Sequence, residues 1–196
     1  QSGTQGQANV RQLAGSNGAT STITQTGNDQ RATVDQDAGG STSTITQMNG
    51  PHNATVQQTG DDNTSTIMQS NYGNEAAIRQ TGDDNTSPVT QSGNRADVGT
   101  PDNNYGGPEP LGNVGVNQTG NLNESEIEQS GDFVNAYVTQ TGDENEAYVN
   151  QSGNYSNADI TQTGNDNFGS VTRQTADGTG TGDDVPALTS ADAIIT

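Results

Sequence analysis

The side chains best equipped for chemistry in this sequence are carboxylates. Asp61 and Asp62 stand 22 residues before Asp83 and Asp84, and Asp143 with Glu144 repeats the pair further on. Hard oxygen ligands gathered at one interval suit Ca²⁺, so a divalent cation bridging stacked carboxylates is one reading of these six residues. A solvated acidic edge, screened by salt, is the other. It is favoured because the glycine-rich nonapeptide of calcium-loading β-helices is missing. Nucleophilic catalysis fares worse. His52 is the only histidine and lies between Pro51 and Asn53, the setting of a surface turn residue and not of a general base. Serine and threonine abound without a base and an orienting group at a workable spacing, and the absence of cysteine removes thiol nucleophiles, thiolate metal sites and disulfides. The chain is expected to be no enzyme and to need no cofactor.

Amides supply a different chemistry. Gln25, Gln36, Gln47, Gln58, Gln69, Gln80 and Gln91 are spaced by eleven, and the spacing resumes at Gln118, Gln129, Gln140, Gln151 and Gln162, with Arg173 at the next position. Two residues before each glutamine stands a β-branched aliphatic: Ile23, Val34, Ile45, Val56, Ile67, Ile78, Val89, Val116, Ile127, Val138, Val149 and Ile160. Two residues earlier again the position is Ser or Ala in eleven of the twelve units, as at Ser21, Ala32, Ser65 and Ala147. Steps of two put all three columns on one side of an extended strand, with mostly polar residues on the other. The pattern predicts strands of about five residues with one buried face.

Turn chemistry fills the rest of each unit. Glycine follows the glutamine by two at Gly27, Gly60, Gly82, Gly120, Gly142 and Gly164, where positive φ would let the chain bend sharply. Asparagine follows by five or six: Asn63, Asn85, Asn123, Asn145 and Asn167 in one series, and Asn53, Asn74, Asn135 and Asn157 elsewhere. Units reading Gln-Thr-Gly-Asp-Asp-Asn mostly alternate with looser ones, so the full period is 22 residues and two strands. That predicts an all-β fold, a parallel β-solenoid with cross-β-like stacking of like strands about 4.8 Å apart. Glutamine and asparagine side chains would form hydrogen-bonded ladders along it, and the aliphatics would fill the space between the two sheets.

Composition alone describes a disordered chain. Of 196 residues, 25% are hydrophobic and 4% aromatic, with 26 glycines, too little apolar surface to offset chain entropy by a conventional core. The fixed glutamine register argues otherwise, since disorder has no reason to keep it. Net charge is −19, from 24 acidic and five basic residues, so nucleic acid would be repelled. There is no apolar run of eighteen residues to span a membrane. A secreted chain is expected here with its leader already removed.

Five segments follow: 1–19 with one degenerate strand (Ala8, Val10, Gln12), repeats over 20–98, an insertion at 99–113 carrying Pro101, Pro108 and Pro110, repeats again over 114–174, and an acidic tail at 175–196. Neither end reads as a capping helix. Open strand edges are templates for another chain, which makes a second copy of the chain the expected partner. Outward threonines such as Thr22, Thr24, Thr44 and Thr46 raise ice binding on a solenoid, but Met68, Arg79, Glu126, Glu128 and Tyr137 at other outward positions make the array irregular.

The columns together resemble the curlin-repeat family, the subunits of curli-type bacterial functional amyloid. The family motif Gln-x-Gly-x-x-Asn-x-Ala-x-x-x-Gln is met in full at Gln140, Gly142, Asn145, Ala147 and Gln151. With Ser for Ala it is met at Gln58, Gly60, Asn63, Ser65 and Gln69, and at Gln80, Gly82, Asn85, Ser87 and Gln91. The resemblance covers roughly residues 8–174. It implies a secreted subunit polymerising end to end outside the cell, supporting biofilm matrix, adhesion and cell aggregation, started by a nucleator subunit and exported through a dedicated outer-membrane pore. The competing expectation is a monomeric solenoid module of a surface adhesin.

Overall fold

Each eleven-residue unit folds into one strand and one corner, because the alternation of inward and outward residues ends where glycine and asparagine begin. The structure, a computed structural model, describes residues 2–13, 17–37, 39–94, 96–98, 115–154, 157–172 and 191–195. The first half of the chain forms β1 (Gln7–Gln12), β2 (Thr20–Gly27), β3 (Arg31–Asp37), β4 (Thr42–Asn49), β5 (Asn53–Thr59), β6 (Thr64–Gln69), β7 (Glu75–Thr81) and β8 (Thr86–Gln91). The second half forms β9 (Asp97–Val98), β10 (Val116–Thr119), β11 (Glu124–Gln129), β12 (Asn135–Thr141), β13 (Glu146–Gln151), β14 (Asn157–Thr163), β15 (Phe168–Thr172) and β16 (Ala191–Ile195). No helix occurs among the described residues.

Strands alternate between two sheets and every pairing is parallel. One sheet runs β1-β3-β5-β7-β10-β12-β14-β16, with β9 also lying between β7 and β12; the other runs β15-β13-β11-β8-β6-β4-β2. Register follows the repeat: Val34 lies beside Val56, and Gln36 beside Gln58. This is the parallel β-solenoid of two strands per coil that the spacing predicts. From Val34 to Ile160 the predicted aliphatic column is buried to within 2% exposure. Ile23, in the terminal rung, is only partly buried, and Val171 extends the column by one coil. Full burial of each such side chain is worth about 1.5 to 3 kcal/mol, and neighbouring coils supply it to each other.

The insertion interrupts a strand without disturbing the phase. Asp97 pairs with Glu75 and Asn135, and Val116 with Ile78 and Val138, so β9 and β10 share one rung between β7 and β12. Gln80 meets Gln118 across 38 residues where other coils span 22. The register is therefore the same on both sides of sixteen extra residues. The predicted insertion at 99–113, Arg173 and residues 175–190 of the predicted tail lie outside the described residues. The tail does not leave the ladder altogether, however. Its last part, β16, pairs with β14 and sets Ile195 opposite Gln162.

The two outer faces differ. Arg79 and Tyr137, which make the outward array look irregular in sequence, belong to the nine-stranded sheet, whereas the threonines of β2, β4, β6 and β8 share the other. The salt bridge of Arg11 with Asp35, at 2.7 Å, also lies on the nine-stranded sheet.

Candidate functional site

The strand period turns every repeat glutamine inward, and stacking places its amide against its own kind. In the nine-stranded sheet Nε2 of Gln12 donates to Oε1 of Gln36, and the chain of bonds continues through Gln58, Gln80, Gln118 and Gln140 to Gln162 at 2.9–3.0 Å. In the other sheet Gln25, Gln47, Gln69 and Gln91 lead to Gln129 and Gln151 over the same range of distances. All twelve predicted ladder glutamines are at most 1% exposed. Gln12 adds a thirteenth member.

Each amide also ties the coil together. Nε2 of Gln80 donates to the carbonyls of Asn85, at the following corner, and Thr64, on the opposite sheet, at 2.9 and 3.0 Å. Gln58, Gln118 and Gln140 repeat both contacts. The buried amides are thus fully used, which is what a core this polar requires. Ser21 and Ser43 are the described exceptions, each with a buried hydroxyl that finds no partner.

One corner, following the nine-stranded sheet, carries the asparagine ladder. Oδ1 of Asn63 accepts from both the backbone N–H and Nδ2 of Asn85, each at 3.0 Å, and Asn123, Asn145 and Asn167 repeat the arrangement. Nδ2 of Asn63, Asn85, Asn123 and Asn145 donates to a glycine carbonyl of the following coil: Gly82, Gly120, Gly142 and Gly164. Side-chain donation along the glutamine ladders points toward the C-terminal coils. Along the asparagine ladder, amide-to-amide donation points back toward the N-terminal ones.

The other corner is heterogeneous, and there sequence reasoning misplaced residues. The inward position, five after the glutamine, holds Gln30, His52, Asn74, Ala96 and Val134, all buried. Asn53, Asn135 and Asn157, grouped in sequence with the turn asparagines, instead begin strands. His52 is no surface turn residue: it is 3% exposed. Its Nε2 lies 2.8 Å from the Met48 carbonyl and Nδ1 accepts from the Asn74 N–H at 3.2 Å. Asn74 does the same with Ser70 and Ala96, so His52 is an asparagine substitute. The signal available in sequence was its count of five after Gln47.

A carbonyl can only accept, so His52 is the neutral Nε2–H tautomer. Burial pushes its pKa below the ordinary histidine value, against the opposing influence of its hydrogen bond to the Met48 carbonyl. As pH falls below about 6.5 the unfolded chain takes up the proton first. The contribution of His52 to stability is therefore complete above that pH and is lost as pH falls toward the depressed folded value. Urea midpoints at pH 7.5 and 5.5 should show a larger acid loss for the parent chain than for His52→Asn, in which the corner keeps both bonds and the titrating group is gone. Equal losses would refute the assignment.

The acidic turns form a third column. Oδ1 of Asp61 accepts from the Gly39 N–H at 2.9 Å, Oδ1 of Asp83 from Asp61 N–H, and Oδ1 of Asp143 from Asn121 N–H, both at 2.8 Å. Asn121 and Asn165 occupy equivalent positions and dilute the charge. Asp62, Asp84 and Glu144 take the adjoining left-handed position, with φ of 55–60°. Among the described residues no three His, Cys, Asp or Glu side chains converge as a metal-holding group.

Among known families, the curlin associated repeat matches residues 60–93 and 135–164, two stretches on either side of the insertion that both contain the glutamine–glycine–asparagine motif. No curated protein and no solved structure matches the chain.

Proposed function

We propose, from the premise that this chain belongs to the curlin-repeat family, that it is a secreted, non-enzymatic fibre subunit which stacks end to end with copies of itself into extracellular amyloid, serving biofilm matrix, adhesion and cell aggregation. The observation that carries the reading is the pairing of like strands in parallel register over continuous amide ladders. Among the described residues the first rung, β1, is exposed along its whole length and pairs on one side only, with β3. Within it Gln12 donates to Gln36 but its own Oε1 accepts nothing among the described residues. Parallel in-register strands, amide ladders and unpaired edges are the ingredients of cross-β growth. A nucleator subunit to start growth and an outer-membrane pore for export complete the proposal.

Purified protein incubated at neutral pH is expected to sediment progressively as fibres. Oriented fibres should give a meridional reflection at about 4.7 to 4.8 Å. A chain that stays monomeric throughout would instead favour a solenoid module held within an adhesin.

A further inference from the structure

Charge is distributed very unevenly over this molecule. The chain carries 24 acidic and five basic residues, yet β2, β4, β6 and β8 contain none of them. At the same columns one coil further on, β11 places Glu124, Glu126 and Glu128. The opposite face of the same coils carries Arg31, Asp35, Glu75 and Arg79. One patch of one sheet is therefore uncharged while its surroundings are not.

That patch is a grid. Parallel register aligns Thr20, Thr42, Thr64 and Thr86 in one column. The two columns beside it, which start at Thr22 and Thr24, are threonine throughout except for Pro88 and Met68. Outward neighbours along a strand are about 6.6 Å apart and strands about 4.8 Å apart. The amide ladders beneath hold the sheet in register, and stacking of this kind keeps a sheet flat against its natural twist. β-Branching restricts each threonine at χ1, so methyl and hydroxyl repeat with little variation. No hydrogen bond among the described residues engages these threonine hydroxyls.

A dry contact with another sheet would favour Val or Ile at such positions, and an ordinary wet surface would favour charge. Threonine at ten of twelve points does neither. It offers a hydroxyl to join a water lattice and a methyl around which water is already ordered, on a two-dimensional repeat of the scale on which hexagonal ice repeats its oxygens. An ion would impose its own hydration shell on that layer, which gives the absence of charge a purpose. We propose that the outer face of β2, β4, β6 and β8 binds ice.

The test is incorporation of the freshly dissolved full-length chain into slowly growing ice. The parent chain is expected to enter the ice and to suppress recrystallisation. Thr44→Glu and Thr66→Glu, each placing a carboxylate where β11 already tolerates one, should lose both effects while keeping β-sheet circular dichroism. Thr55→Glu, on the outer face of the nine-stranded sheet, should keep both. Exclusion of the parent chain from ice, or entry of the two variants on equal terms with it, would overturn the proposal. If the parent is excluded and Thr44→Glu instead disperses laterally bundled fibres, the face belongs to a second copy of the chain and ice binding falls. Fibre growth is read separately, so a chain that enters ice without polymerising would support this proposal and sink the previous one.

Discussion

Gly82→Ala is expected to destroy the coil in which it sits. Gly82 has φ of +109°, and a β-carbon built there would lie 2.2 Å from the carbonyl oxygen of Gly120 and 2.8 Å from its carbon. Both obstacles are backbone, so no rotamer change relieves them. Moving the Gly120 strand away would break the Gln80–Gln118 bond just before the corner. The expected loss is about 4 kcal/mol or more, the range reserved for core disruption and special backbone conformations. Denaturant unfolding checks it, together with hydrogen exchange, which should show protection lost first in β7 and β10. Gly164 is the internal control. Its φ of +107° is similar, but among the described residues the nearest atom to a β-carbon added there is Nδ2 of Asn167 at 3.5 Å, so Gly164→Ala should cost only the backbone strain, about 2 kcal/mol. Equal losses at the two positions would mean that stacking does not set the glycine requirement.

Gln80→Leu should have the second-largest effect. Leucine fills nearly the same volume, so the change removes hydrogen bonds more than packing. Gln58 Nε2 loses one acceptor but keeps the carbonyls of Thr42 and Asn63, Oε1 of Gln118 loses its donor, and the carbonyls of Thr64 and Asn85 each lose one donor. Gln58 and Gln118 are fully buried, and stranding a buried polar group costs about 1 to 3 kcal/mol. With Oε1 of Gln118 stranded the expected destabilisation is about 1 to 3 kcal/mol, seen as a lower urea midpoint, and fibre growth should slow or stop. Unchanged midpoint and kinetics would show that the amide ladder contributes little cohesion.

Most of this architecture is legible in spacing, because a β-strand has a side-chain period of two and the sequence keeps it for twelve units. Ile45 two residues before Gln47, and Gln47 eleven before Gln58, are enough to assign inside, outside and turn. Four things are not legible. His52 fills an asparagine position because an imidazole can donate and accept at the same two points, a geometric equivalence that composition hides. Asn53 and Asn63 look alike in a list of turn residues, yet a shift of one position sends the first to a strand start and the second into the buried ladder. Arg79 and Thr44 both point outward, but only the assignment of alternate units to opposite sheets separates them, and with them the charged face from the uncharged one. The continuity of phase from Gln80 to Gln118 was beyond sequence too, since a mid-strand detour leaves no mark except an altered count.

Opposed donation in the two kinds of ladder has a consequence for fidelity. A stack bound by backbone alone would distinguish its two directions weakly, but here the glutamine column leads with a carboxamide oxygen at Gln12, and its last member, Gln162, beside β16, turns its amide NH2 onto the carbonyls of Glu146 and Asn167. A newcomer arriving upside down would set oxygen against oxygen in one column and mismatch the asparagines in another. The ladders make the molecule an arrow, and under the proposed end-to-end stacking an inverted neighbour would be refused by the amides before any other contact formed.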